Sequence, residues 1–307
     1  MTRITVVGSI NIDLTNYFDD WPSVGQTVTA LETRISLGGK GANQCVAAAR
    51  LGGDAVMVGA VGQDGFGDDV LSRLEMPGLQ CKVDRVANTA TGMAFIDVVR
   101  TGENIIRLSA GANGVLDIDM VNAHRDEIVG SKVVLLQNEV PVAASLAAAR
   151  LARDAGAIVI MDPAPAPVPM WGRDILSAFD IITPNAHEAK LILGSEPTTL
   201  AEARDAAKAI CETGVGTAIV TMGGDGVAWS SNGVTGDMAA PKVDTIDTVA
   251  AGDCFNGALG VVLSEGRPID DAIQFAVCAA ALATTRKGAS VSVPERGEVD
   301  AFLAGFG

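Results

Sequence analysis

No apolar run in this sequence is long enough to cross a bilayer. The longest, Phe275 to Ala283, is about half of the roughly 18 residues a span needs. Its alanine content reads as a buried helix. No GxxxxGK[ST] occurs, so a Walker phosphate loop is absent. The five cysteines, Cys45, Cys81, Cys211, Cys254 and Cys278, form no CxxC pair, and only His124 and His187 accompany them. That argues against zinc and for small buried thiols in a reducing compartment. Aromatic residues make up 4% of the chain, and 22 basic against 37 acidic residues leave a net charge of −15. A nucleic-acid partner, which would want a basic face and stacking rings, is not expected, and neither is a membrane partner. An anionic ligand would need local help from helix N-termini, a few basic groups or a metal ion. The opening residues, MTRITVVGSINID, run straight into a strand pattern and meet Asn11 and Asp13 early. No signal peptide and a cytoplasmic location are the expectations.

What is present is alternation. Strands are expected at Ile4–Val7, Ala55–Val58, Lys132–Leu136, Ala157–Met161, Asp180–Ile182, Thr217–Thr221 and Val227–Ser230. Helices are expected at Ala42–Leu51, Asp117–Ile128, Val142–Asp154, Leu200–Thr213, Asp253–Ser264 and Ile269–Thr285. Several strands are continuous apolar runs, as in a sheet covered on both faces. The fold class is therefore α/β, with a mostly parallel central sheet between layers of helices. Phe18–Leu37 and Ala90–Ser109 break the rhythm with strand-like spacing and no helix. They read as antiparallel ribbons outside the main sheet, either plain hairpins or a flap that excludes water from a reaction.

Ligands in open α/β sheets bind beyond the carboxyl ends of strands, and the polar or glycine-rich turns at those joints are the candidates. SLGGKGANQCVAAARLGG, Ser36 to Gly53, combines Gly38, Gly39 and Gly41 with the donors Lys40 and Asn43 beside a helix start. In DTVAAGDCFNGAL, the unpaired amides of a helix mouth, which Gly252 lets a ligand approach closely, could form an anion hole. Asp253 beside them could accept a proton from an attacking hydroxyl. Taken alone, that aspartate reads first as a helix cap and second as a base. In ITPNAHEA, Asn185 and Glu188 lie three apart and could organise Mg²⁺ through water, or could be a capping box. The turn in IVTMGGDGVAWS could receive a nucleotide's phosphates or be a hairpin. Asp13 and Glu139, at ends of apolar strands, could hold sugar hydroxyls.

Together these stretches resemble one family. SLGGKGANQCVAAARLG is similar to the N-terminal signature of the ribokinase-like (phosphofructokinase B type) carbohydrate kinases, and DTVAAGDCFNGAL to the C-terminal one. GSINID, VGQDGFGDDV, ATGMAFIDV, GENIIRLSAGAN, DPAPA, TPNAHEA, VTMGGDGV and TTRKGASVSVP match in order across nearly the whole chain. The resemblance implies one α/β domain over residues 1–307, with a β lid from segments within about 14–37 and 90–110. It implies ATP-dependent phosphorylation of a small sugar's primary hydroxyl, D-ribose first, with Mg²⁺ and a K⁺ activator. A nucleoside, a ketohexose such as fructose or a sugar acid are the alternative acceptors, and a non-catalytic sugar-binding protein is a further one.

By the same resemblance Asp253 is the base and Ala250, Ala251 and Gly252 the anion hole. Asn11, Asp13, Gly39, Lys40, Gly41, Asn43 and Glu139 hold the sugar. Asn185 and Glu188 belong to a magnesium and phosphate motif. Thr221, Gly223, Gly224 and Gly226 lie in the nucleotide turn. Asp247, Val249, Ala283, Arg286, Gly288 and Ser292 match a monovalent-cation site, several through backbone carbonyls. The lids are implied to pair two copies into a homodimer. Five positions depart from the pattern. Asn138 and the bulkier Met93 and Phe95 bear on the acceptor, Val277 on adenine contact, and Cys254 follows the base.

Overall fold

The computed structural model describes residues 2–305. In chain order the strands are β1 (Arg3–Val7), β2 (Asn11–Phe18), β3 (Glu32–Gly38), β4 (Asp54–Gly62) and β5 (Leu79–Val86). There follow β6 (Gly92–Val99), β7 (Asn104–Ser109), β8 (Val133–Gln137), β9 (Ile158–Asp162) and β10 (Ile181–Ile182). β11 (Thr217–Thr221), β12 (Val227–Ser231) and β13 (Val234–Met238) complete the set. The large sheet has the order β13-β12-β11-β10-β9-β8-β1-β4-β5. Every neighbouring pair from β5 to β11 is parallel, and the β11–β12 and β12–β13 pairs at one edge are antiparallel.

The apolar runs explain this layering. Alternate residues of one strand feed opposite cores: Ile4, Met57 and Leu135 pack with the helices Lys40–Arg50, Ala251–Ser264 and Ile269–Ala283. Val7, Val58 and Leu136 pack on the other face against the helix Val142–Asp154. Both sides being covered, the strands need no polar face. The Lys40 and Ala251 helices approach each other through Gly257, where an added Cβ would lie 2.6 Å from Ala47 Cβ and 2.8 Å from the Gln44 carbonyl oxygen. Only a glycine permits that approach.

The small sheet has the order β3-β2-β6-β7. Each hairpin is antiparallel, as expected, but a parallel β2–β6 pair fuses the two into one plate. The first ribbon does not begin at Phe18; its first strand ends there. GSINID carries β1's alternation directly outward, and Pro22 and Gly25 interrupt the segment between Phe18 and β3. The plate is pinned where it leaves the body. Buried Asn113 receives the Ile10 N–H at 2.9 Å and donates to the Ile10 carbonyl at 3.1 Å. Asp64 receives the Thr91 N–H at 2.8 Å and its hydroxyl at 2.6 Å.

The expected helix Asp117–Ile128 is two, Ile118–Ala123 and Arg125–Val129, broken at His124, whose ψ of 26° departs from the helical value. Helices at Gly65–Arg73 and Arg296–Ala304, and strands β5 and β13, were not anticipated, whereas the helix expected to open at Asn185 runs over Ala186–Leu193. Among the described residues, no helix is long and apolar enough to cross a membrane.

Candidate active site

Acids converge beyond the carboxyl ends of β1, β8 and β9. Glu139 lies just past β8, Asp162 closes β9, Asp13 stands on β2, and Asp253 lies in the first turn of the Ala251 helix. Lys40 opens its own helix, with Nζ 3.9 Å from Asp162 Oδ2. Asn43 Nδ2 donates to Asp253 Oδ2 at 3.0 Å. Glu139 Oε2 receives the Ser9 hydroxyl at 2.5 Å and the Lys40 N–H at 3.0 Å. The Gly41 N–H donates to Ser9 Oγ at 3.3 Å. Asn11 Oδ1 accepts from Asn113 at 2.7 Å, which leaves Asn11 Nδ2 to donate elsewhere. Asn43 Oδ1 is buried without a hydrogen-bond partner among the described residues. Glycine at 38 lets Asp13 lie down in the pocket, since a Cβ there would sit 2.0 Å from its carboxylate. Gly39, at φ 86°, turns the chain into the Lys40 helix.

Burial dominates the electrostatics. It pushes Asp253 up to about 7, with Lys40 pulling down and Asp162 pushing further up. Asp13 rises to about 7 by burial, then by the charges of Glu139 and Asp253. Asp162 rises to about 6 by burial, held back by Lys40. Burial alone would lower the Lys40 ammonium, but Asp162, Asp253 and Glu139 raise it. Lys40 thus stays charged among acids that can share protons near neutral pH.

At the helix mouth Ala250 holds a left-handed conformation, φ 58° and ψ 14°. Such strain in a residue with a Cβ persists where surrounding structure enforces it. The Ala251 N–H donates to the Thr248 carbonyl at 3.3 Å, so it is partly committed. The N–H groups of Ala250 and Gly252 have no protein partner among the described residues. A Cβ at Gly252 would meet nothing within 4 Å, and the same holds at Gly223 and Gly224. Gly226 differs: its φ is 118° and a Cβ would lie 2.0 Å from the Met238 carbonyl oxygen, so its glycine serves the turn. Asn185 stands beside Thr221 in an isolated bridge at the ends of β10 and β11.

The capping box is real: Asn185 Oδ1 accepts the Glu188 N–H at 2.8 Å and Glu188 Oε2 accepts the Asn185 N–H at 2.9 Å. It leaves Glu188 a second carboxylate oxygen, in a side chain whose pKa burial raises. One buried carboxylate oxygen with water suits Mg²⁺, which keeps much of its hydration shell. Among the described residues no three-residue His, Cys, Asp or Glu cluster could hold a metal by itself.

Asp247 ties a separate loop, accepting the Val249 N–H at 3.0 Å and the Gly288 N–H at 2.9 Å. The Ala283 carbonyl receives the Arg286 N–H at 3.2 Å, and the Ser292 hydroxyl donates to Ala289 at 2.8 Å. The Arg286 guanidinium is turned to Glu298 at 2.5 Å. Only its backbone is therefore available to that loop.

The structure gives each of the five departing residues a definite place. Met93 pairs with Ile12 and Phe95 with Leu14, while Ala94 is Asp13's partner. Residues paired across strands share a face, so Ala94 and Ile96 stand on Asp13's side and Met93 and Phe95 on the opposite one. Asn138 Nδ2 donates to the Pro165 carbonyl at 2.6 Å and ties down the loop after β9. Val277 is 4% exposed in the hydrophobic core, not offered to a nucleotide, and Cys254 is fully buried. The residues that sequence reasoning missed are Ser9, Gln44, Asn113, Asp162 and Asn256. Asn256 bridges Thr183, at 2.8 Å, to the Gly252 carbonyl, at 3.0 Å. The polar positions on otherwise apolar elements were the only signal for them.

The profile described as "pfkB family carbohydrate kinase" matches residues 1–296. The chain is 38% identical to a ribokinase of Haemophilus influenzae over 98% of both chains. It is 39% identical to a ribokinase of Schizosaccharomyces pombe over 98% of this chain and 97% of that one. Among solved structures, the Arabidopsis thaliana ribokinase complexed with ribose and ATP superposes with a TM-score of 0.91 at 30% identity, covering 98% of each chain.

Proposed function

The chain belongs to the pfkB family of carbohydrate kinases, and from that premise we propose that it transfers the γ-phosphoryl group of ATP to the primary hydroxyl of D-ribose, giving D-ribose 5-phosphate. One observation carries the reading: Asp253, 5% exposed, sits at a helix mouth whose neighbour Gly252 opens onto free space. The attacking hydroxyl loses its proton to the Asp253 carboxylate, whose pKa of about 7 suits a general base at neutral pH. Charge on the transferring group is met by the unpartnered amides of Ala250 and Gly252. Asn11, Asp13, Lys40, Asn43 and Glu139, with the backbone of Gly39 and Gly41, hold the sugar hydroxyls. The open backbone at Gly223 and Gly224, with Thr221 and Asn185, receives the nucleotide.

Glu188, oriented by Asn185, would hold a magnesium ion through water, and when bound that ion neutralises phosphate charge. A potassium ion belongs to the loop of Asp247, Val249, Ala283, Arg286, Gly288 and Ser292. The small sheet serves as the lid and as the contact between two copies. Ribose is favoured over bulkier acceptors because Ala94 and Ile96, not Met93 and Phe95, share Asp13's face.

A coupled assay of ADP release, with Mg²⁺ and K⁺ present, tests the acceptor across ribose, 2-deoxyribose, fructose, nucleosides and sugar acids. D-ribose is expected to give the highest kcat/KM, and no turnover with any of them would sink the proposal. Asp253→Asn is expected to lose about 10²–10⁴-fold in kcat while calorimetric ribose binding persists. Retained turnover would remove Asp253 from the base role.

A further inference from the structure

Two glutamines stand behind Asp253, both fully buried. Gln44 Nε2 donates to Asp162 Oδ2 at 3.0 Å and to Asp253 Oδ1 at 3.3 Å. Its oxygen accepts from Gln137 Nε2 at 2.7 Å. A side-chain amide can point either way, but a carboxylate only accepts. The two acids therefore dictate that the Gln44 nitrogen faces them, and its oxygen is left facing Gln137. That in turn points the Gln137 nitrogen at Gln44 and strands its oxygen without a partner. The stranded oxygen lies over Gly8, where a Cβ would approach it to 1.9 Å. A buried polar atom left unpaired is costly, and the fold accepts that cost at the end of a chain that terminates on Asp253.

We propose that Gln44 is a positioning residue for phosphoryl transfer, anchored by Asp162, which fixes the rotation of the Asp253 carboxylate toward the attacking hydroxyl. The inference rests on the reading of Asp253 as the base. Asn43 holds one carboxylate oxygen of Asp253 and Gln44 the other. Loss of Gln44 frees the group to swing about its Cβ–Cγ bond while every sugar contact stays in place. Gln44 also places a neutral donor between two acids that would otherwise repel directly. The charged groups facing Asp253 are Lys40 at its helix start, Asp162 at the end of β9, Glu139 beyond β8, and Asp13 on β2.

Gln44→Met keeps the side chain's length and removes all three hydrogen bonds, the two donated to Asp162 and Asp253 and the one accepted from Gln137. Its kcat is expected to fall about 100-fold, the scale of a slight misplacement of a reacting group, with the KM for ribose little changed. In the Asp253→Asn background the same substitution should cost nothing further. Wild-type kcat in Gln44→Met beside an inactive Asp253→Asn would overturn the positioning role and leave the base role standing. An active Asp253→Asn would instead overturn the base. If Gln44→Met does not fold, Asp162→Asn decides, since it removes a charge and keeps the shape. The acid limb of its kcat/KM profile should move to lower pH, because Asp253 then feels Lys40 with one acid fewer. An unmoved limb would overturn the anchor.

Discussion

At the scale of single residues, the aspartates of this pocket work against the fold that holds them. Burial lifts Asp253 and Asp13 to about 7 and Asp162 to about 6. An acid whose folded pKa exceeds its unfolded value binds more protons when folded, so its contribution to stability falls as pH rises through that interval. Asp253 costs nothing below about pH 4, costs progressively more up to about pH 7, and levels off above. Asp253→Asn should therefore melt above the wild type at pH 8, with the excess vanishing near pH 4. A thermal melt series over pH measures this, and an excess independent of pH would contradict it. The wild-type kcat/KM should in turn rise with pH and flatten above about 7, as the base loses its proton.

At the scale of elements, the turn between β11 and β12 separates fold from ligand. Gly226 must be glycine for the backbone, whereas Gly224 faces open space. Gly226→Ala should cost at least about 1–2 kcal/mol from its left-handed φ alone, read as a lower melting temperature. Gly224→Val should leave the melting temperature in place and raise the KM for ATP several-fold. Equal effects on both quantities in both variants would erase the distinction. The same scale shows what the sequence could convey. Parallel strands announced themselves as unbroken apolar runs, and Asp253, Asn43 and Glu139 as polar residues at strand and helix ends. Strand parity was out of reach: whether Met93 or Ala94 shares Asp13's face depends on which residue of β2 pairs with which of β6. Gln44 and Asp162 meet across 118 positions of chain, a distance no local pattern encodes. Gly65–Arg73 escaped because two glycines hide its helical period, whereas the burial of Val277 was legible in the apolar, alanine-rich run that contains it.

At the scale of the molecule, the small sheet exposes apolar side chains on both faces. Ile106 and Leu108 share Asp13's side through their pairing with Ile96 and Ala94, while Ile105 and Ile35 occupy the other. All four are about half exposed, between 49% and 55%. The body of one chain can cover only one face of a plate, and β7 also leaves an open hydrogen-bonding edge. Sedimentation equilibrium should give twice the chain mass for the wild type and a single chain mass for the Ile105→Asp, Ile106→Asp double variant. A monomeric wild type would refute the pairing.

The contact at Gly257 divides the molecule's labour in a way that bears on its history. Because the Lys40 and Ala251 helices meet backbone to backbone there, Lys40, Asn43, Gln44 and Asp253 are parts of one stiff body. The residues opposite them, Ala94 and Ile96, ride on a plate joined to that body at four crossings, near Ile10, Gly39, Thr91 and Ala110. Substitutions at Ala94 and Ile96 can redraw the outline of the acceptor and leave in place every charge that faces the base, including that of Asp13 on the same plate. Acceptor preference can then drift from one sugar to another through intermediates that remain working kinases.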